Sequence, residues 1–256
     1  MSLIQSYFKF LVQSTNEHGV HSPFVFQLVT QCFYDKKKYS EYQILKQHRN
    51  SLLKNKETIH VKDFGAGSRV FKSNQRKVCD IASNAGISPK RAQLLFRIVQ
   101  YFKPENILEI GTSLGLATSA LALGNPKAKI TTLEGCPNTL SIAEKHDQNL
   151  TNVDFINTEF SDYLKNHQQA TVNYQLVYFD GNHSKAATLE YFHLLLPTIQ
   201  NDTVWIFDDI HWNSEMNEAW EIIKRHETVT VTIDTFQWGL VFFRREQAKE
   251  HFTIRV

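Results

Sequence analysis

"LEIGTSLG", residues 108–115, places a carboxylate two residues before a turn bounded by glycines. A turn that cradles a nucleotide needs a strand before it, an apolar helix after it, and an acid closing the next strand about 20 residues on. "NILEI" (106–110) supplies the strand and "LATSALALG" the helix. "KITTLE" (129–134) then ends in Glu134, 23 residues beyond Gly111. A second stretch, "KDFGAGSRV" (62–70), has the same look of an acid ahead of glycines. The polar and basic "FKSNQRKVCD" follows it, with neither an apolar helix nor a strand expected. It reads as a surface loop, a candidate to fold over the site.

Working outward from the turn, short apolar runs alternate with helical spacing. After "NILEI" and "KITTLE" come "VDFIN" (153–157), "QLVYFD" (175–180) and "TVWIFDD" (203–209). The segments between them, such as "NTLSIAEKH" and "SEMNEAWEIIKRH", carry the 3.6-residue period. Strands joined by helices of this length imply right-handed crossovers and a parallel sheet. "TVTVTID" (228–234) and "GLVFFR" (239–244) are separated by a stretch of turn length and read as an antiparallel pair. The expected fold is α/β and Rossmann-like: a seven-stranded, mostly parallel sheet with an antiparallel last strand, flanked by helices.

Residues 1–85 differ in texture and are read as an N-terminal helical extension, or lid, packed on a main domain of residues 86–256. In "HSPFVFQLVTQCF", Ser22 is the expected N-cap and Pro23 the first-turn residue, with Val25, Leu28, Val29 and Cys32 on one face. "SPKRAQLLFRIVQYF" repeats the device with Ser88 and Pro89. Residues 41–56 form a more polar helix, with Tyr42, Leu45 and Leu52 on one side. At the N-terminus, Leu3, Tyr7, Phe8 and Leu11 share a helical face, expected to pack on the core or a partner. His18 and His21 are candidate pocket residues under the lid reading.

The bulk composition narrows the class. Among 256 residues, 28 Lys and Arg balance 26 Asp and Glu, a formal charge of +2. That mixture predicts neither a nucleic-acid field nor a polybasic membrane patch. Three scattered cysteines without a CxxC spacing point to a reducing compartment. The N-terminus lacks a signal-peptide pattern, and no segment is expected to span a bilayer. The expected location is cytoplasmic.

Gly111 and Gly115 form a G-x-x-x-G turn, not the G-x-G-x-x-G that brings backbone close to a pyrophosphate. A carboxylate at Glu109 would repel a pyrophosphate but suits a ligand bearing an ammonium and a sulfonium. This favours S-adenosylmethionine over a nicotinamide dinucleotide. With these features, residues 86–256 resemble a class I S-adenosylmethionine-dependent methyltransferase, most similar to the catechol and caffeoyl-CoA O-methyltransferase group. The "HGVHSPFVF" and "DFGAGS" stretches resemble bacterial methyltransferase-like proteins with an extended N-terminus.

The resemblance implies roles for individual residues. Glu109, Gly111, Ser113 and Gly115 would hold the methionine end, with Glu109 near the ammonium, and Glu134 would take both ribose hydroxyls. In "NTEFSDYL", Glu159 and Phe160 would neighbour the adenine, although Thr158 stands where the family has glycine. The runs "YFDGNH" and "FDDIHW" bring Asp180, Asp208 and Asp209 to strand ends, where open α/β sheets bind ligands. In metal-dependent members of the group the corresponding Asp, Asp and Asn hold magnesium, which eases deprotonation of the acceptor hydroxyl. Here Asp209 replaces the asparagine, and His183 stands where the family has a lysine base. Histidine titrates near neutral pH, which suits a general base. His211, two residues after Asp209, is a weaker candidate.

"DGNH" lacks the Asn/Asp-Pro-Pro-aromatic segment of base N-methyltransferases, and no basic stripe suggests RNA. The expected function is transfer of a methyl group from S-adenosylmethionine to the hydroxyl of a small molecule, with Asp180, His183 and Asp208 catalytic and Mg2+ at Asp180, Asp208 and Asp209. The partner is then a small-molecule acceptor, not nucleic acid or membrane, and a homodimer is compatible with the family. The alternative is a non-catalytic or non-O-methylating S-adenosylmethionine-binding protein of the same fold.

Overall fold

Serine, asparagine and proline set where the helices begin. The Ser22 hydroxyl accepts from Val25 N at 3.4 Å, and Ser88 accepts from Arg91 N at 3.3 Å, each followed by proline in the first turn. Ser184 and Asn213 cap two further helices through Ala187 N and Met216 N. Such caps satisfy amide donors that the helix itself cannot.

In the computed structural model, residues 3–62, 71, 73–147, 150–167 and 172–256 are described. The first half of the chain runs α1 (Leu3–Gln13), α2 (Pro23–Leu28), α3 (Glu41–Lys54), β1 (Thr58–His60), β2 (Gln75–Lys77), α4 (Val78–Asn84), α5 (Pro89–Phe102), β3 (Asn106–Ile110), α6 (Leu116–Gly124) and β4 (Lys129–Glu134). There follow α7 (Pro137–His146), β5 (Val153–Asn157), α8 (Phe160–Asn166), β6 (Leu176–Phe179), α9 (Lys185–Leu195), β7 (Val204–Asp208), α10 (Ser214–Arg225), β8 (Val231–Asp234), β9 (Trp238–Phe242) and β10 (Glu250–Thr253). Two compact units result, one of Asp35–Phe160, the other of Met1–Tyr34 with Ser161–Val256.

In the unit Asp35–Phe160, β3, β4 and β5 are parallel neighbours in that order. Ile107, Leu108, Ile110, Ile130 and Leu133 are fully buried. Of the predicted α3 face, Leu45 and Leu52 are buried and Tyr42 is half-buried, while α5 buries Ala92, Leu95 and Val99. One expectation fails beside "KDFGAGSRV". Strand β2 pairs antiparallel with β1, and α4 follows it directly. Backbone pairing, not apolar alternation, makes this hairpin: its only buried residue is Ile59. The "DFGAGS" stretch itself lies outside the described residues.

In the other unit the strand order is β10-β8-β9-β7-β6. Strands β6 and β7 are parallel, and β9 runs antiparallel to both β7 and β8, so the expected hairpin is present. All seven predicted strands form, and the architecture is the mostly parallel, helix-flanked one expected. An eighth strand, β10, adds parallel to β8. Val25, Leu28, Val29 and Cys32 are buried as their spacing predicts.

Helix α1 does not bury the expected face on the core of its own chain. Leu3, Tyr7 and Phe8 are exposed, and the residues it buries are Ser6 and Phe10. Phe10 is drawn inward by Phe236, whose ring lies 5.5 Å away.

Gly239, in β9, is where α10 meets the strands. A Cβ there would lie 2.6 Å from the buried Trp220 ring. Overpacking of this kind costs roughly 1–3 kcal/mol. Gly239→Val should therefore lower the denaturant midpoint with an unchanged slope, whereas unaltered stability would show that the ring is free to move.

Candidate functional site

The glycine turn is built by left-handed backbone. Gly111, Ser113 and Gly115 have φ of 109°, 49° and 80°, a region costly for residues with a Cβ. Gly115 is also sterically required, because a Cβ there would come within 2.5 Å of Asp147 Oδ2. The amides of Gly111 and Thr112 both donate to Leu133 O at 3.0 Å, which locks the turn against the end of β4.

Glu134 completes the arrangement. Its Oε2 accepts from Ser113 N and its Oε1 from Cys136 N, each at 2.9 Å. Its carbonyl takes Thr158 N at 3.0 Å and Asn157 Nδ2 at 2.8 Å, tying the end of β5 to the same residue. These two charge-assisted bonds fix the orientation of the carboxylate. Glu159 is exposed and Phe160 partly buried, both just beyond this junction.

Glu109 is fully buried, unlike an acid facing an open crevice. Its Oε2 accepts from Thr118 at 2.5 Å and Thr132 at 2.6 Å, and Thr132 also meets Thr112 at 2.5 Å. The acid thus links β3, β4 and α6 beneath the turn.

Sequence reasoning missed a second polar cluster behind α6. Ser119 donates to Asp147 Oδ1 at 2.7 Å and meets His48 Nδ1 at 2.7 Å. Both His48 Nε2 and Asp147 Oδ2 are buried without a hydrogen-bond partner. Burial pushes the Asp147 carboxyl up to about 7, against the Ser119 hydrogen bond, and pulls the His48 imidazole down to about 4, with His146 adding to the effect. Serine lies between the histidine and the acid, so this is not a nucleophilic triad, in which histidine stands in the middle. No local signal marks it, since His48 and Ser119 are 71 residues apart.

A separate acidic group occupies the unit Met1–Tyr34 with Ser161–Val256. Apolar β6 and β7 deliver Asp180 and Asp208 at their ends, and two left-handed residues, Asn182 and Asp209, shape the following loops. The Tyr178 hydroxyl lies 3.1 Å from Asp208 Oδ2 and 3.3 Å from Asp180 Oδ2. One hydroxyl proton serves one of the two carboxylates at a time. Burial, reinforced by the charge of Asp208, raises the Asp180 pKa, and His183 opposes that shift. His183 Nε2 stands 3.6 Å from Asp180 Oδ1. Burial alone would lower the His183 pKa, but Asp180, Asp209 and Asp208 outweigh it and push it up to about 9. The neighbouring carboxylates thus favour the charged imidazolium form of His183.

The three aspartates do not fit a metal-holding set. Among the described residues, no three His, Cys, Asp or Glu side chains are placed to hold a metal ion. Asp208 Oδ1 accepts from Asp209 N at 2.8 Å, Oδ2 faces Tyr178, and Asp180 faces Tyr178 and His183. Asp180 and Asp208 thus meet at the Tyr178 hydroxyl and are engaged with the protein. His18 and His21 are exposed. His211 pairs with Asp234 at 2.8 Å. No helix among the described residues is long and apolar enough to cross a membrane.

Residues 108–210, from the glycine turn to just past Asp209, match the family model described as a methyltransferase domain. An O-methyltransferase from Bacillus cereus in complex with SAH is 18% identical, with 83% of this chain and 95% of that one covered at a TM-score of 0.56. A SAH-bound methyltransferase from Podospora anserina is 14% identical, with 88% and 97% covered at 0.61. The O-methyltransferase TomG from Streptomyces achromogenes, in complex with SAM, is 16% identical, with 84% and 95% covered at 0.58. The fold is the class I S-adenosylmethionine-dependent methyltransferase fold that the sequence resemblance implied.

The Asp147 shift has a checkable consequence. Unfolded, Asp147 ionises near its ordinary 3.8; folded, it holds its proton to about pH 7. Between these values the native state binds the extra proton, so stability from this group falls as pH rises through the window. Asp147→Asn removes that titration. Its stability relative to wild type should increase from pH 4 to pH 8 in urea unfolding, and a pH-independent difference would refute the assignment.

Proposed function

We propose that the protein is an S-adenosylmethionine-dependent O-methyltransferase acting on a small-molecule hydroxyl. The observation that carries this reading is Glu134, whose carboxylate is oriented by Ser113 N and Cys136 N at the end of β4, beside the glycine turn. The neighbours' bound SAH and SAM support the choice of cofactor.

In this reading Gly111, Ser113 and Gly115 hold the methionine end, Glu134 the ribose, and Glu159 and Phe160 flank the adenine. Buried Glu109 acts chiefly by fixing the turn through Thr118 and Thr132. S-adenosylmethionine supplies an electrophilic methyl group on a sulfonium. The chain orients an acceptor hydroxyl and accepts its proton.

His183, with Asp180, is the proposed acceptor of that proton, at Nε2 or through Asp180. Because its pKa is raised, the competent neutral imidazole is a minority at pH 7 and grows toward pH 9. Asp208 and Tyr178 hold Asp180 in place. No step requires a cation, and methyl transfer measured in chelator and after magnesium add-back tests whether one contributes.

Two measurements check the reading without a known acceptor. Calorimetry should detect S-adenosylmethionine binding, weakened in Glu134→Ala by roughly 1.5–3 kcal/mol, the worth of a charged hydrogen-bond acceptor. A protein that binds NAD but not S-adenosylmethionine would overturn the assignment. NMR titration of the His183 ring should give a midpoint near 9. Asp180→Asn removes a partner that raises this pKa, so the midpoint should move to lower pH. An unshifted midpoint would remove Asp180 from the pair.

A further inference from the structure

We propose that a cavity of about 440 Å³ walled by α1, α10, β8 and β10 binds a small hydroxylated organic anion, of the sugar-acid or sugar-phosphate kind. None of Asp180, His183, Asp208 or Asp209 lines it. It opens near the C-terminal end of β8, which lies two strand spacings from β7, about 10 Å. It is therefore a site separate from the carboxylate–histidine group.

The orientation of α1 first points to a ligand. A helix that merely packs on a domain turns its apolar stripe inward. Helix α1 does the reverse: Ser6, Lys9 and Gln13 line the cavity beside Phe10, while Ile4, Phe8 and Val12 are exposed at 69%, 62% and 87%. The opposite wall is also polar, with Ser214 and Asn217 one turn apart on α10. Hydroxyls and amides thus face each other across a space large enough for a small molecule.

Charge selects an anion. Lys224 is held by Glu221 at 2.6 Å. Asp234 accepts from His211 Nε2 at 2.8 Å and from Phe236 N at 2.7 Å. The other nitrogen of His211 meets Asn217 Oδ1, an amide oriented by its own bond to Asn213 O. Lys9 makes no ion pair among the described residues, so its ammonium is the lining cation left to meet an anion. Phe10 and Phe252 offer ring surface to the C–H face of a polyol, and Thr232 and Thr253 add hydroxyl partners.

The test is NMR titration of the full chain with glucuronate, glucose 6-phosphate and glucose. Resonances of Lys9, Phe10, Phe252 and Thr253 should move with the charged sugars. Glucose should bind more weakly, by up to about fivefold, the upper worth of an exposed ion pair. Stronger binding of the carboxylate identifies a sugar acid, and stronger binding of the phosphate a sugar phosphate. Lys9→Gln should weaken the charged ligand about fivefold. Glu221→Gln, which frees Lys224, should tighten it. Both substitutions sit on exposed helix positions, so folding is retained. Shifts at these residues with none of the three probes, equal affinity for glucose and the anions, or indifference to Lys9→Gln would each overturn the proposal.

Discussion

The carboxylate of Glu134 holds two backbone segments at once, through Ser113 N in the turn after β3 and Cys136 N at the start of α7. Ser113 is left-handed and Cys136 is the N-cap of α7, followed by a proline. With one charge the acid satisfies an amide donor in each segment. The twin contacts of Leu133 O with Gly111 N and Thr112 N reinforce the same junction.

Beneath the turn lies a buried polar layer. Glu109 accepts from Thr118 and Thr132, and Ser119, one residue along α6, joins His48 and Asp147. Burying such groups is costly unless they are paired. Here the pairing fixes α6, whose first turn begins at Gly115. The protein keeps Asp147 tolerable by protonating it rather than by matching it with a cation. Rigidity of the turn is thus maintained by hydrogen bonds that titrate, not by apolar packing alone.

The Asp180–His183 group uses the opposite device. Its carboxylates keep a histidine charged, and the histidine offsets part of their mutual repulsion. Two histidines of one chain, His48 and His183, are driven in opposite directions by the balance of desolvation and nearby charge. That contrast separates a supporting cluster from a candidate catalytic one.

The seven strands, the helix caps at Ser22 and Ser88, the glycine turn and Glu134 were all legible in the sequence. Each rests on local rules: period, cap chemistry, and the spacing of an acid from a turn. The β1–β2 hairpin was not legible, since backbone pairing needs no apolar pattern. The outward apolar face of α1 was equally hidden, because which face a helix buries depends on what it packs against. The Ser119–His48–Asp147 cluster and the pKa values of His183 and Asp147 were decided only by tertiary structure. Residue type sets a side chain's ordinary chemistry. Which charges and how much water surround it is a matter of neighbours brought from distant parts of the chain.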